Sequence, residues 1–175
     1  ALNFSTQKTM RLAQQLYEGV EVKGHGTIGL ITYLRTDSTR VAEEADAAAR
    51  VYISANYGEA YVAQVENQKK NGAKIQDAHE AIRPTDISLT PAKVKDSLQR
   101  DLFRLYQLIW KRFAASRMQP ARYDTVSVKV EASNPNRQQT EDNTYEFTLS
   151  ASKLAFDGFM SVYIQDEEKE QSNAL

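Results

Sequence analysis

With 175 residues, 41% of them apolar, 26% charged and none a cysteine, the chain is long enough to bury a core and holds no disulfide, thiolate metal site or cysteine nucleophile. Seven glycines and four prolines exclude a collagenous or low-complexity chain, and no run approaches the roughly 18 consecutive apolar residues that a membrane-spanning helix needs. The net charge of −1 conceals an asymmetry: +2 over 1–40, −4 over 41–68, +6 over 69–117 and −5 over 118–175, a basic stretch that suits a polyanion but on charge alone is more simply a solvated helix face.

Ser5 is placed to cap a helix running to Glu18, with Met10, Ala13, Leu16 and Tyr17 at helical spacing and Gly19 just past the end. Three glycines follow, and the β-branched, apolar run from Ile28 to Leu34 predicts a buried strand that feeds the polar RTDST. Ser38 is the expected cap of a second helix to about Ala55, with Glu43 and Glu44 early, where the helix dipole favours anions. The pattern weakens from Tyr57 to Gly72, and NQKKNGAKIQ predicts a polar loop. Thr90 followed by Pro91 marks a short helix that buries Val94 and Leu98. The strongest period lies between Arg100 and Met118, where Leu102, Leu105, Tyr106, Ile109, Phe113 and Ala114 predict one buried helix face, stopped by Pro120. After it TVSVKVEA, TYEFTLSAS and FMSVYIQ alternate with the period of strands, and EEKEQSNAL reads as a frayed tail. The start ALNFSTQKTM has neither an initiator Met nor a signal-peptide core, so the chain reads as a piece of a longer protein, and the lack of cysteine points to an intracellular one.

Two short motif matches dissolve on inspection. Gly24, Gly26 and Gly29 satisfy G-x-G-x-x-G, but a dinucleotide loop follows a strand and opens a helix, whereas here a helix precedes and a strand follows. A flexible turn fits better. His79 and Glu80 begin a metalloprotease-like H-E-x-x-H in which Arg83 replaces the second imidazole, and the other histidine, His25, lies in the glycine turn. If AHEAIR is helical, His79 and Arg83 share a face and offer a titratable proton donor beside a fixed cation, a pair suited to a phosphodiester; otherwise the segment is a surface turn closed by Pro84. In ITYLRTDST, continued strand geometry puts Tyr33, Arg35 and Asp37 on one side. Each has a mundane reading, as a core tyrosine and a local ion pair. The functional reading makes Tyr33 a nucleophile toward phosphorus, with the planar fork of Arg35 gripping a phosphate oxygen and offsetting charge.

The segments ITYLRTDST at 31–39 and DAHEAIRPTD at 77–86, with the helix DLFRLYQLIWKRFAASRMQPA and the switch to YDTVSV, resemble the bacterial type IA DNA topoisomerases from about Phe4 to about Val162. The departure is Leu34, where that family usually has Met. The resemblance implies an α+β fold: a helical, winged-helix-like tyrosine-bearing domain over 1–119, then over 120–175 an antiparallel β segment of the topoisomerase arch with the frayed tail. It implies that Tyr33 attacks single-stranded DNA to form a 5'-phosphotyrosyl link that needs no ATP for rejoining. Arg35 would bind the scissile phosphate, and His79, oriented by Asp37, would assist positioning or proton transfer. Glu80 and Arg83 would support that shell. It implies Mg2+ in the intact enzyme, held by acidic ligands of a Toprim domain outside this chain, no metal ligands within it, and a cytoplasmic, nucleoid location. Without that domain the chain is not expected to relax DNA by itself. The rival is a non-enzymatic single-stranded DNA-binding module in which Arg35 and Arg83 hold phosphates and Tyr33 merely stacks.

Overall fold

The structure, a computed structural model, describes residues 2–64, 79–133 and 144–164. It divides into two compact units, 1–119 with 159–175, and 120–158.

In the first unit, α1 (Thr6–Glu18) starts at Ser5, whose hydroxyl accepts the Lys8 N–H, and ends at Gly19 with φ 134°, a conformation costly for any side chain but hydrogen. A short hairpin follows, β1 (Val20–Val22) against antiparallel β2 (Gly26–Ile28). Gly24 and Gly26 turn it at φ 82° and 70°, so the G-x-G-x-x-G match is a hairpin turn. The expected strand beyond Ile28 is not regular. Residues 29–34 make a single bridge, Ile31 to Pro84, because the partner segment pairs with them only through the backbone of Arg83 and Thr85 on either side of Pro84. α2 (Glu43–Tyr57) starts later than expected: its cap is Ala42, with no side-chain bond, while Ser38 uses its hydroxyl to accept the Arg40 N–H in a turn ahead of the helix. Glu43, Glu44 and Asp46 occupy the first turn, the electropositive end.

α3 (Pro91–Val94) has Pro at its start, as the Thr90-Pro91 pair predicts, and a 3-10 turn, Lys95–Ser97, continues it. α4 (Arg100–Ser116) buries Leu102, Leu105, Tyr106, Phe113 and Ala114 as its periodicity requires. Trp110, absent from that set, is buried as well, with its indole N–H donating to Ile87 C=O at 3.0 Å, whereas Ile109 is only half-buried. The core gathers α1 (Leu12, Leu16), the 30–31 stretch, α2 (Ala49, Ile53), Val94 and α4. Tyr106, fully buried, donates its hydroxyl to Leu89 C=O at 2.6 Å, which meets the rule that buried polar groups find partners.

The second unit is an antiparallel ribbon, β3 (Arg122–Ser133) paired with β4 (Thr144–Phe156). The expected β segment of 120–175 is shorter than that span. FMSVYIQ is not a third strand: Gly158–Met160 forms a 3-10 turn, 161–164 are helical, Phe159 N–H donates to Gln119 C=O, and Val162 is buried in the first unit's core. In so short a segment Phe159, Val162 and Tyr163 fit a helical spacing as well as an alternating one, and burial against the helical core decides between them. The expected loop at 67–76 and the expected tail at 167–175 lie outside the described residues. Among the described residues no helix is long and apolar enough to cross a membrane.

Candidate active site

The site is built where the 30–32 stretch is laced between two neighbours. On one side Leu30 N–H donates to Leu16 C=O at 2.7 Å; on the other, Thr32 N–H donates to Arg83 C=O at 2.9 Å and Thr85 N–H to Leu30 C=O at 3.0 Å. The Thr32 hydroxyl donates to Ala81 C=O at 2.9 Å and accepts the Arg83 N–H at 3.0 Å. Leu30 and Ile31 are buried under this lacing. The chain therefore emerges from a fixed anchor, and Tyr33, the residue that follows it, is 57% exposed. The anchor fixes the backbone from which the Tyr33 side chain projects.

Beyond Tyr33 the motif's charges meet those of the second motif. Arg35 Nε lies 2.6 Å from Asp37 Oδ2, and Arg35 Nη1 lies 3.4 Å from His79 Nε2, a contact between residues 44 apart in sequence. His79 Nδ1 faces the same Asp37 oxygen at 3.8 Å. A guanidinium can only donate, so the Arg35–His79 contact is a hydrogen bond in the tautomer that leaves Nε2 as an acceptor. Arg35, Asp37 and His79 thus form one cluster that joins the two motifs. The Arg35–Asp37 pair is well exposed, and an ion pair in water is held weakly, so an incoming phosphate can take the guanidinium from Asp37 at small cost.

Arg83 goes elsewhere. Residues 79–83 are not helical, and the shared helical face expected for His79 and Arg83 does not exist. Their backbone groups are committed to other segments, Ala81 N–H to Arg40 C=O and Arg83 C=O to Thr32, and the residue before a proline avoids the helical region. The Arg83 guanidinium closes on Glu80, with Nε and Nη2 at 2.9 and 2.8 Å from one carboxylate oxygen, and its Nη1 donates to Pro84 C=O at 2.9 Å. Glu80 and Arg83 hold the second motif in shape. Arg83 also lines, with Glu44, Asp86 and Phe113, a cavity of about 240 Å³.

Three residues of this site carry roles that motif chemistry alone does not indicate. Thr32 ties the two motifs together through its hydroxyl. Arg40 grips the second motif twice, by Nε to His79 C=O at 3.3 Å and by its own carbonyl to Ala81. Tyr17, read from periodicity as an apolar position of α1, packs its ring against Tyr33. Thr32 and Arg40 sit inside or beside the first motif, a signal that was available; the Tyr17 contact depends on how α1 folds back and had none.

A DNA topoisomerase family model matches residues 1–175. The chain is also similar to full-length topoisomerase I from Thermotoga maritima in a monoclinic crystal form, with a TM-score of 0.73 and 42% sequence identity over 93% of this chain, and it spans 24% of that protein's length. A match along the whole chain, identity well above 30% and both hallmark motifs joined in one surface cluster lead to one conclusion: the chain belongs to the bacterial type IA DNA topoisomerases.

Proposed function

We propose that this chain supplies the nucleophile and phosphate-binding residues of a type IA topoisomerase that relaxes DNA through a transient break in one strand. The observation that carries the reading is the exposed Tyr33, which follows a buried backbone anchor and stands two residues before Arg35, itself in contact with Asp37 and His79. Arg35 takes a nonbridging oxygen of a single-stranded phosphodiester, and the phenol is aligned for attack on phosphorus. The Tyr33 oxygen–phosphorus bond forms as the bond from phosphorus to the 3' oxygen breaks; the phenolic proton leaves Tyr33 and the 3' oxygen departs as a hydroxyl. His79, in contact with Arg35 and facing Asp37, passes that proton or steadies the phosphate. Because one phosphoester replaces another, the bond energy is retained, and the reverse attack by the 3' hydroxyl rejoins the strand without ATP.

Among the described residues no three His, Cys, Asp or Glu side chains converge on a cation position, so these residues do not fit a Mg2+ site. A Mg2+ requirement of the intact enzyme, with ligands in a Toprim domain, is part of the proposal for the parent protein. The basic 69–117 stretch contributes to single-strand binding that weakens steeply with salt, as phosphate neutralisation demands.

The decisive experiment is Tyr33→Phe in the full-length enzyme carrying this chain. Covalent protein–DNA adduct falls below detection, at least about 10³-fold, while single-strand affinity is retained, since only the transferred oxygen is removed. Adduct formation at the parental level by that variant would instead favour a binding module in which Tyr33 only stacks.

A further inference from the structure

We propose that Tyr17, backed by Gly29, is a positioning residue for Tyr33: its ring holds the nucleophile's ring in the orientation needed for attack, and it does so without using its own hydroxyl. The inference rests on the reading of Tyr33 as the nucleophile.

The two rings meet edge to face, with centroids 5.4 Å apart and planes at 63°, the arrangement that sets the positive edge of one ring on the negative face of the other. Tyr33 otherwise extends into solvent, with more than half its surface exposed, and the phenol of an unrestrained surface tyrosine sweeps through its rotamers. Attack on phosphorus needs the oxygen near 3–3.5 Å from its target and in line, so a fixed ring shifts the population toward productive geometry. Tyr17, 38% exposed, lies in the last turn of α1, next to Leu16, whose side chain is fully buried. It is therefore a rigid surface to lean on.

Gly29 sets the distance between them. A Cβ at Gly29 would lie 2.6 Å from the Tyr17 carbonyl oxygen, closer than nonbonded atoms come, and that oxygen is main chain and cannot swing aside. The next residue, Leu30, donates its N–H to Leu16 C=O. The stretch that carries Tyr33 is thus pressed onto the end of α1 at the one residue without a side chain. Any other residue at 29 forces the two backbones apart and separates the rings four residues later.

The test measures covalent adduct formation in the full-length enzyme on a single-stranded oligonucleotide, at saturating DNA and across a DNA titration, for Tyr17→Leu, Tyr17→Phe, Gly29→Ala and Tyr33→Phe. An aromatic pair's usual worth corresponds to roughly a two- to tenfold loss of adduct rate at saturation for Tyr17→Leu, which keeps bulk but no ring, with half-saturating DNA unchanged. Tyr17→Phe restores the parental rate. Gly29→Ala lowers the rate as well, and adding it to Tyr17→Leu costs less than the product of the two effects, since both act through one contact. A parental rate in Tyr17→Leu, or a loss in Tyr17→Phe equal to that in Tyr17→Leu, overturns the proposal, as does a change confined to half-saturation. Should Gly29→Ala not fold, the Tyr17 pair decides alone. Tyr33→Phe separates the two levels: adduct persisting in that variant defeats the nucleophile assignment itself, whereas adduct lost there but insensitive to Tyr17 defeats only the positioning role.

Discussion

The helical unit and the β ribbon use the same apolar residue types to opposite ends. In the helical unit Leu16, Leu30, Ile31, Ile53 and Val94 are almost wholly removed from solvent. In the ribbon, register sets Val126 beside Ala151, Val128 beside Leu149 and Val130 beside Phe147, one continuous apolar face, and it is exposed. The other face is polar, with Thr125 and Ser152 hydroxyls 2.8 Å apart, Ser127 and Ser150 at 3.0 Å and Lys129 Nζ 3.0 Å from Glu146. Alternation therefore fixes which side chains share a face, and nothing more. Whether that face is buried is a property of what packs on it, and a two-stranded ribbon offers nothing from within.

This contrast can be broken experimentally. The largest effect is expected from Leu16→Ala, a side chain with 0% exposure, which should destabilise the helical unit by about 2–5 kcal/mol through lost burial and a residual cavity, read as a shift of the denaturation midpoint. A loss below about 1 kcal/mol would mean that the core of this unit is loosely packed. Tyr106→Phe comes next. It keeps the ring and removes the bond to Leu89 C=O, leaving a buried carbonyl short of its partner, at a cost of about 1–2 kcal/mol. The Tyr106 hydroxyl should resist ionisation throughout, because burial, with the nearby Asp86 charge adding to it, raises its pKa well above the ordinary tyrosine value.

Asp46 sharpens the comparison through pH. Burial alone would raise its pKa, but hydrogen bonds from Arg50 and Arg117, at 2.6 and 2.9 Å, outweigh it and hold the carboxyl below its usual value. A depressed native pKa stabilises the fold above the ordinary value of 3.8, and that stability is lost as pH falls through the native value. Asp46→Asn should therefore cost under about 1 kcal/mol at neutral pH and flatten the decline of helical-unit stability below pH 4. An unchanged acid limb would show that the two arginines do not hold it. Smallest of all is Leu149→Ala on the ribbon. At 70% exposure it should move stability by no more than about 0.5 kcal/mol, the leucine-to-alanine change of the first experiment with none of its consequence. A loss comparable to Leu16→Ala would show that the ribbon's apolar face is covered in solution.

The candidate site was legible because its residues lie in two contiguous motifs, and the guanidinium, carboxylate and imidazole they supply meet in one cluster. Legibility failed where a residue's partner was chosen at a distance. Arg83 was legible as a cation, but Glu80 three residues away and the Pro84 carbonyl capture it, so it does not join His79. Ser38 has the chemistry of a helix cap and caps a turn instead, since the backbone from Arg40 is drawn to Ala81 and delays the helix to Glu43. Segment 159–164 alternates like a strand and folds as a helical turn, because short periods are ambiguous and core burial outweighs pattern.

By itself the amino-acid order determined the helices with a full apolar stripe, the glycine turn, the two ribbon strands and the residue types able to act on a phosphodiester, because each follows from local backbone sterics and spacing. Only the tertiary structure decided that Tyr17 meets Tyr33, that His79 meets Arg35 across 44 residues, and that the ribbon's apolar face stays open. Contacts between distant segments depend on the whole set of packed surfaces that compete for each side chain, and no single stretch of sequence carries that information.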